Sequence, residues 1–99
     1  MRKKRQHEGM QAELVAALGL VWGLLNAYQY EEAYALSRGC LLLWPDDEKL
    51  RLMHDFAATE VLEPVDQQRL RRMRTPHNAA WVDLVLRRLQ YAQDNRAPA

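Results

Sequence analysis

Ninety-nine residues, of which 48% are hydrophobic, with four glycines and four prolines, describe one globular domain with a modest core and exclude a disordered or low-complexity chain. A net charge of +1 and a pI near 7.9 fall short of a dedicated nucleic-acid binder. Cys40 is the single cysteine, so an intrachain disulfide is excluded and a reducing, cytoplasmic compartment is favoured.

In chain order, residues 1–9 read as a flexible basic tail that opens on Arg2-Lys3-Lys4-Arg5. A basic start followed by the apolar run from Leu14 to Leu25 has the outline of a secretion signal, but Glu8 and Glu13 interrupt it and no clean small-residue cleavage site follows. The run is also too short to span a bilayer. The first helix is expected from Met10 to Ala27, with Leu14, Val15, Ala17, Leu18, Val21, Leu24 and Leu25 at spacings of three and four. Leu20 and Trp22 make its second half apolar nearly all round, as in a helix buried on more than one side. Gly19 and Gly23 each lower helix propensity, and the benefit expected in return is close approach of another backbone.

A second helix is expected from Tyr30 to Leu43. Glu31 and Glu32 suit the positive end of its dipole, and Pro45 stops it. A third helix starts behind Asp46 as N-cap and carries Leu50, Met53, Phe56, Ala57 and Val61, with Pro64 ending it. A short fourth helix spans Val65 to about Arg74. Thr75-Pro76 then opens a fifth, from about His77 to Gln93, carrying Trp81, Val82, Val85, Leu86, Leu89 and Ala92. Residues 95–99 are expected to fray. No sustained alternation supports a strand. The fold class expected is all-α, with about five helices in antiparallel hairpins over residues 10–94.

His7, His54 and His77 are scattered, and no pair has metal-ligand spacing. Cys40, His54 and Asp55 make a triad only on paper, since a thiolate is disfavoured in mid-helix among leucines. No glycine-rich phosphate loop exists. The residues therefore predict no enzyme, cofactor or metal. The charge is polarised, with eight acidic and three basic side chains in residues 31–64 and seven basic and three acidic in residues 65–99. Arg69, Arg71, Arg72 and Arg74 form the densest basic cluster. It reads as a solvated face, as a contact for an acidic protein partner, or as a phosphate contact. Leu18, Trp22, Leu25 and Asn26 on the first helix, with Met53 and Phe56 on the third, are the candidates for a protein-binding face. For Trp22 and Phe56, ordinary core and groove remain open as alternatives.

Tyr30-Glu31-Glu32-Ala33 at a helix start and Trp44-Pro45-Asp46 at its end, with Ala33 and Pro45 twelve positions apart, resemble one tetratricopeptide hairpin. Together with the chain length and the Arg-Leu-Arg-Arg-Met and Trp-Val-Asp-Leu-Val runs, the stretch from Leu14 to Leu89 resembles the small tetratricopeptide-like chaperones of bacterial type III secretion systems. The resemblance implies a cytoplasmic protein that holds an amphipathic helix of a secreted cargo, a needle subunit or small early substrate, and blocks its premature self-assembly. Some members need a second small co-chaperone. It implies groove roles for Leu18, Trp22, Leu25, Met53 and Phe56. The chain departs from the repeat pattern at Tyr28, where glycine is expected, and at Ser37, where a large aromatic is expected. Two other readings are a helical regulatory protein that binds nucleic acid through the Arg69–Arg74 helix, and a structural subunit that self-associates through its apolar surface.

Overall fold

The computed structural model describes residues 2–96, with side chains from 11 to 94. Five helices follow in order: α1 (Arg2–Asn26), α2 (Tyr30–Cys40), α3 (Glu48–Glu60), α4 (Gln67–Arg72) and α5 (Ala79–Arg96). The described residues contain no strand, and the fold is all-α. Residues 97–99, where fraying is expected, lie outside the described residues.

The helix boundaries differ from the sequence expectation in each of the five helices. α1 begins at Arg2 and not near Met10. Residues 2–8 are arginine, lysine, glutamine, histidine and glutamate, mostly strong helix formers, and they extend the helix into the segment assigned to a tail. α2 ends at Cys40, and Leu42 and Leu43 close a tightened turn by donating to the Gly39 and Cys40 carbonyls. The N-cap of α3 is Asp47, one residue later than expected; its carboxylate accepts from the Leu50 N–H at 2.9 Å. α4 shrinks to six residues between its N-cap Asp66 and Met73. α5 starts at Ala79 and continues to Arg96, because Thr75 and Asn78 close a turn of their own ahead of it.

α1 and α3 end in the same way. Gln29 N–H reaches back to the Leu24 carbonyl (2.9 Å) and Tyr28 N–H to Leu25 (3.1 Å); Glu63 N–H reaches Ala58 (2.8 Å) and Leu62 N–H reaches Thr59 (3.3 Å). This paired bond pattern needs a left-handed residue after the helix, and Tyr28 (φ 61°) and Leu62 (φ 65°) supply it. The two positions lie 34 residues apart, the length of a tetratricopeptide unit. Tyr28 thus holds the backbone conformation for which the repeat uses glycine.

Two cores share α3. Val21, Leu25, Ala33, Leu50 and Ala57 join α1, α2 and α3. Leu52, Leu70, Val82, Val85 and Leu89 join α3, α4 and α5. Half-buried Phe56 packs against both. Ser37 is fully buried, and its hydroxyl donates to the Tyr34 carbonyl at 3.1 Å, so this hairpin has closed around a small residue at the position where the resemblance led to an aromatic being expected.

A candidate protein-binding cleft

α3 packs against both α1 and α5, and the space between these helices on one side is an open cleft of about 420 Å³. Trp22 from α1, Leu52 and Met53 from α3, and Trp81 from α5 line it, with Lys49 and His77 also in its wall. The Trp22 and Trp81 rings meet at 5.4 Å, tilted by 60°. Behind them the aromatic contacts continue from Trp81 to Phe56 (6.1 Å) and from Phe56 to Tyr30 (6.2 Å). Such offset and edge contacts favour a fixed ring arrangement over loose packing. Trp22 remains 45% exposed, which is high for a tryptophan that has neighbours available on two helices.

Asn78 holds one end of the cleft in place. It is buried, its side-chain amide donates to Glu48 and to the Met73 carbonyl (2.8 Å), and its oxygen accepts from the Thr75 N–H (2.6 Å). These bonds tie the loop before α5 to the first turn of α3. The start of α5, and with it Trp81, is thereby fixed relative to Met53.

Of the six residues singled out in the sequence, Trp22 and Met53 line this cleft. The other four candidates do not. Leu25 is buried in the first core, because the residues at positions 17, 21 and 25 form the inner stripe of α1. Leu18 packs against that core, Asn26 is exposed near the end of α1, and Phe56 is held between Tyr30 and Trp81. Trp81 and Leu52 complete the cleft and were not among the sequence candidates. The available signal was a tryptophan in the first turn of the closing helix, ahead of its buried positions 82, 85 and 89.

The arginines divide into two kinds. The Arg69 guanidinium donates to both carboxylate oxygens of Asp55 at 2.7 and 2.8 Å, and Asp55 is 2% exposed. Arg74 forks onto Asp83 at 2.9 and 3.0 Å, which holds the Asp83 carboxyl below the usual aspartate range. Arg71 and Arg72 are exposed. Half of the cluster is therefore committed to carboxylates of this chain. His54 stacks on Tyr34 at 5.0 Å, and its Nδ1 lies 3.8 Å from Asp55, too far for a hydrogen bond. Cys40 packs against the first core. Among the described residues no group of three metal-ligating side chains converges, and no helix is long and apolar enough to cross a membrane.

No protein-family model, curated protein or solved structure matches this chain.

Proposed function

We propose that this protein is a cytoplasmic chaperone or adaptor of a type III secretion system, which holds an amphipathic helix of a small secreted cargo in the cleft between α1, α3 and α5. The observation that carries this reading is the half-exposed Trp22, set against Trp81 over Met53 and Leu52 in an open apolar cleft. Clefts that take a helix present apolar anchors on rigid elements, and here the four anchors come from three helices. The mechanism is non-covalent. Burial of the cargo's apolar stripe removes the surface through which the cargo would self-assemble. The hairpin resemblance supplies the secretion-system assignment. The nucleic-acid alternative has less to stand on, because Arg69 and Arg74 are neutralised within the chain.

The test reads two quantities on Trp22→Ala. Thermal unfolding of the isolated variant should change little, because the ring is already half in water. Co-purification with a helical needle-type cargo should weaken by about 2 kcal/mol or more, the effect of losing an aromatic interface anchor. Global unfolding of the variant, or an intact fold with intact binding, contradicts the proposal.

A further inference from the structure

The joint between α2, α3 and α4 holds more buried nitrogen atoms than it has acceptors for. At its centre is the Asp55 carboxylate, with a side chain only 3% exposed. A single nitrogen of Arg69, Nη2, makes both bonds to it, at 2.7 and 2.8 Å. The Arg69 Nε is buried and has no hydrogen-bond partner among the described residues, and the same holds for both ring nitrogens of His54. Buried polar atoms are partnered in the great majority of cases, so three unpartnered ones beside one carboxylate call for a physical cause.

His54 stands next to the acceptor that it lacks. Its ring stacks on Tyr34 of α2 at 5.0 Å, tilted by 23°, and its Nδ1 lies 3.8 Å from Asp55 Oδ1, just beyond hydrogen-bond reach. A carboxylate oxygen can accept more than one bond, so Oδ1 has capacity for this one. The charged group facing His54 on its own helix is Asp55, with Arg69 of α4 bound to it. Arg51, one turn earlier on α3, donates to the Pro45 carbonyl instead. From α2 the facing group is Tyr34, while Glu31, Glu32 and Arg38 of that helix are exposed.

We infer that this joint has two arrangements and that a proton on His54 selects between them. With His54 neutral, Nδ1 carries no proton, its lone pair faces the carboxylate, and Asp55 belongs to Arg69 alone. That is the arrangement described above, and it ties α4 to α3. With His54 protonated, Asp55 turns Oδ1 onto the Nδ1–H and keeps Oδ2 on Arg69, so one of the two bonds to α4 is given up. The proton binds more tightly where Nδ1–H has an acceptor, so acid moves the population toward the second arrangement. α4 is then held less firmly, and with Leu70 as its single buried side chain it has little apolar packing in reserve. Met73, at the end of α4, offers its carbonyl to Asn78, so the turn before α5 loosens with it. The switch acts within the fold and does not rest on what the cleft binds.

The test is amide hydrogen exchange of the full chain from about pH 8 to about pH 5, the range across which imidazoles take up a proton, corrected for the intrinsic pH dependence of exchange. Protection of α4 should fall by about tenfold toward the acid end, the effect of one lost hydrogen bond to a charged group, while α2 keeps its protection. No fall, or an equal fall in α2, overturns the inference. His54→Phe keeps an aromatic ring on Tyr34 and cannot take a proton, so its α4 protection should not vary over this range. His77→Phe should retain the full fall. A fall that persists in His54→Phe, or that disappears in His77→Phe, overturns the inference. The unmutated protein decides the matter even where His54→Phe folds poorly. In its nuclear magnetic resonance spectra, the His54 ring and the Arg69 Nε–H should shift with one common midpoint. A His54 ring that takes up its proton with no change at Arg69, or that takes up none in this range, overturns the inference.

Discussion

The first hairpin and the second begin alike and are held together differently. In both, a long helix ends on a left-handed residue, Tyr28 or Leu62, and the chain turns back. The first return helix, α2, has eleven residues and reaches its partners through Ala33, Ser37 and a surround of Tyr30, Tyr34, Leu36 and Leu41. The second, α4, has six residues and a single buried side chain, Leu70. The bidentate ion pairs gather in this second half: Arg69 on Asp55, Arg74 on Asp83 and Arg88 on Glu60. A helix too short to bury much apolar surface is positioned here by charge and by the caps at Asp66 and Asn78. Packing alone does that work for the longer one.

This contrast can be broken by mutation. Leu50→Ala, at a fully buried position in the first core, should cost about 4 kcal/mol by urea denaturation and unfold the molecule as a unit. Arg69→Ala should cost about 3 kcal/mol, the lower end of the range for breaking a buried pair, because the Asp55 side chain is 3% exposed while the guanidinium is 32% exposed. Hydrogen exchange should then place the loss in α4 and α5 and spare α2. Uniform loss of protection across all five helices would contradict the division into two differently held halves.

Smaller effects sharpen the same comparison. Tyr28 and Leu62 both occupy a conformation that costs a side chain about 1–2 kcal/mol, and both are largely exposed. Tyr28→Gly and Leu62→Gly should each raise stability by about 0.5–1 kcal/mol, after the greater freedom of glycine in the unfolded chain is counted. A loss at either site would mean that its side chain contributes packing that outweighs the strain. Acid should act on the second half first. The Arg69 backbone N–H holds the Asp66 carboxyl below the usual aspartate range, and the Arg74 side chain does the same for Asp83. Groups lowered in the folded state stabilise it fully above the unfolded pKa of about 3.9, and that contribution is lost as the pH falls through the folded values. Asp66→Asn and Asp83→Asn should each flatten the acid limb of the stability curve, read by denaturant titration across pH. An unchanged limb would remove the caps and ion pairs from the account of α4.

Five helices were legible in the sequence because helical spacing, Pro45, Pro64 and Pro76 divide the chain in the right places. The N-cap slipped by one residue because Asp46 and Asp47 are chemically equivalent, and only the backbone conformation chooses between them. The contraction of α4 was hidden because Val65, Leu70 and Met73 fit a helical stripe whether or not the ends are helical. The cleft was half legible. Trp22 and Met53 follow from the hairpin pattern, but Trp81 arrives from a helix outside that pattern. Leu25 lies in the core and Phe56, left open between core and groove, packs between Tyr30 and Trp81, because spacing along one helix does not reveal which neighbour covers it. The ion pair of Asp55 and Arg69 joins residues fourteen apart across a turn, where sequence spacing carries no signal.

The central claim is that the cleft between Trp22 and Trp81 takes a helix. The three tryptophans make it directly observable, because Trp44 packs against the first core and does not line the cleft. Indole N–H resonances of the full chain, followed by nuclear magnetic resonance during titration with an amphipathic helical peptide from a needle-type subunit, should show Trp22 and Trp81 moving together to saturation while Trp44 stays in place. A saturable complex that leaves both cleft indoles unmoved, or no complex at all, would contradict the account.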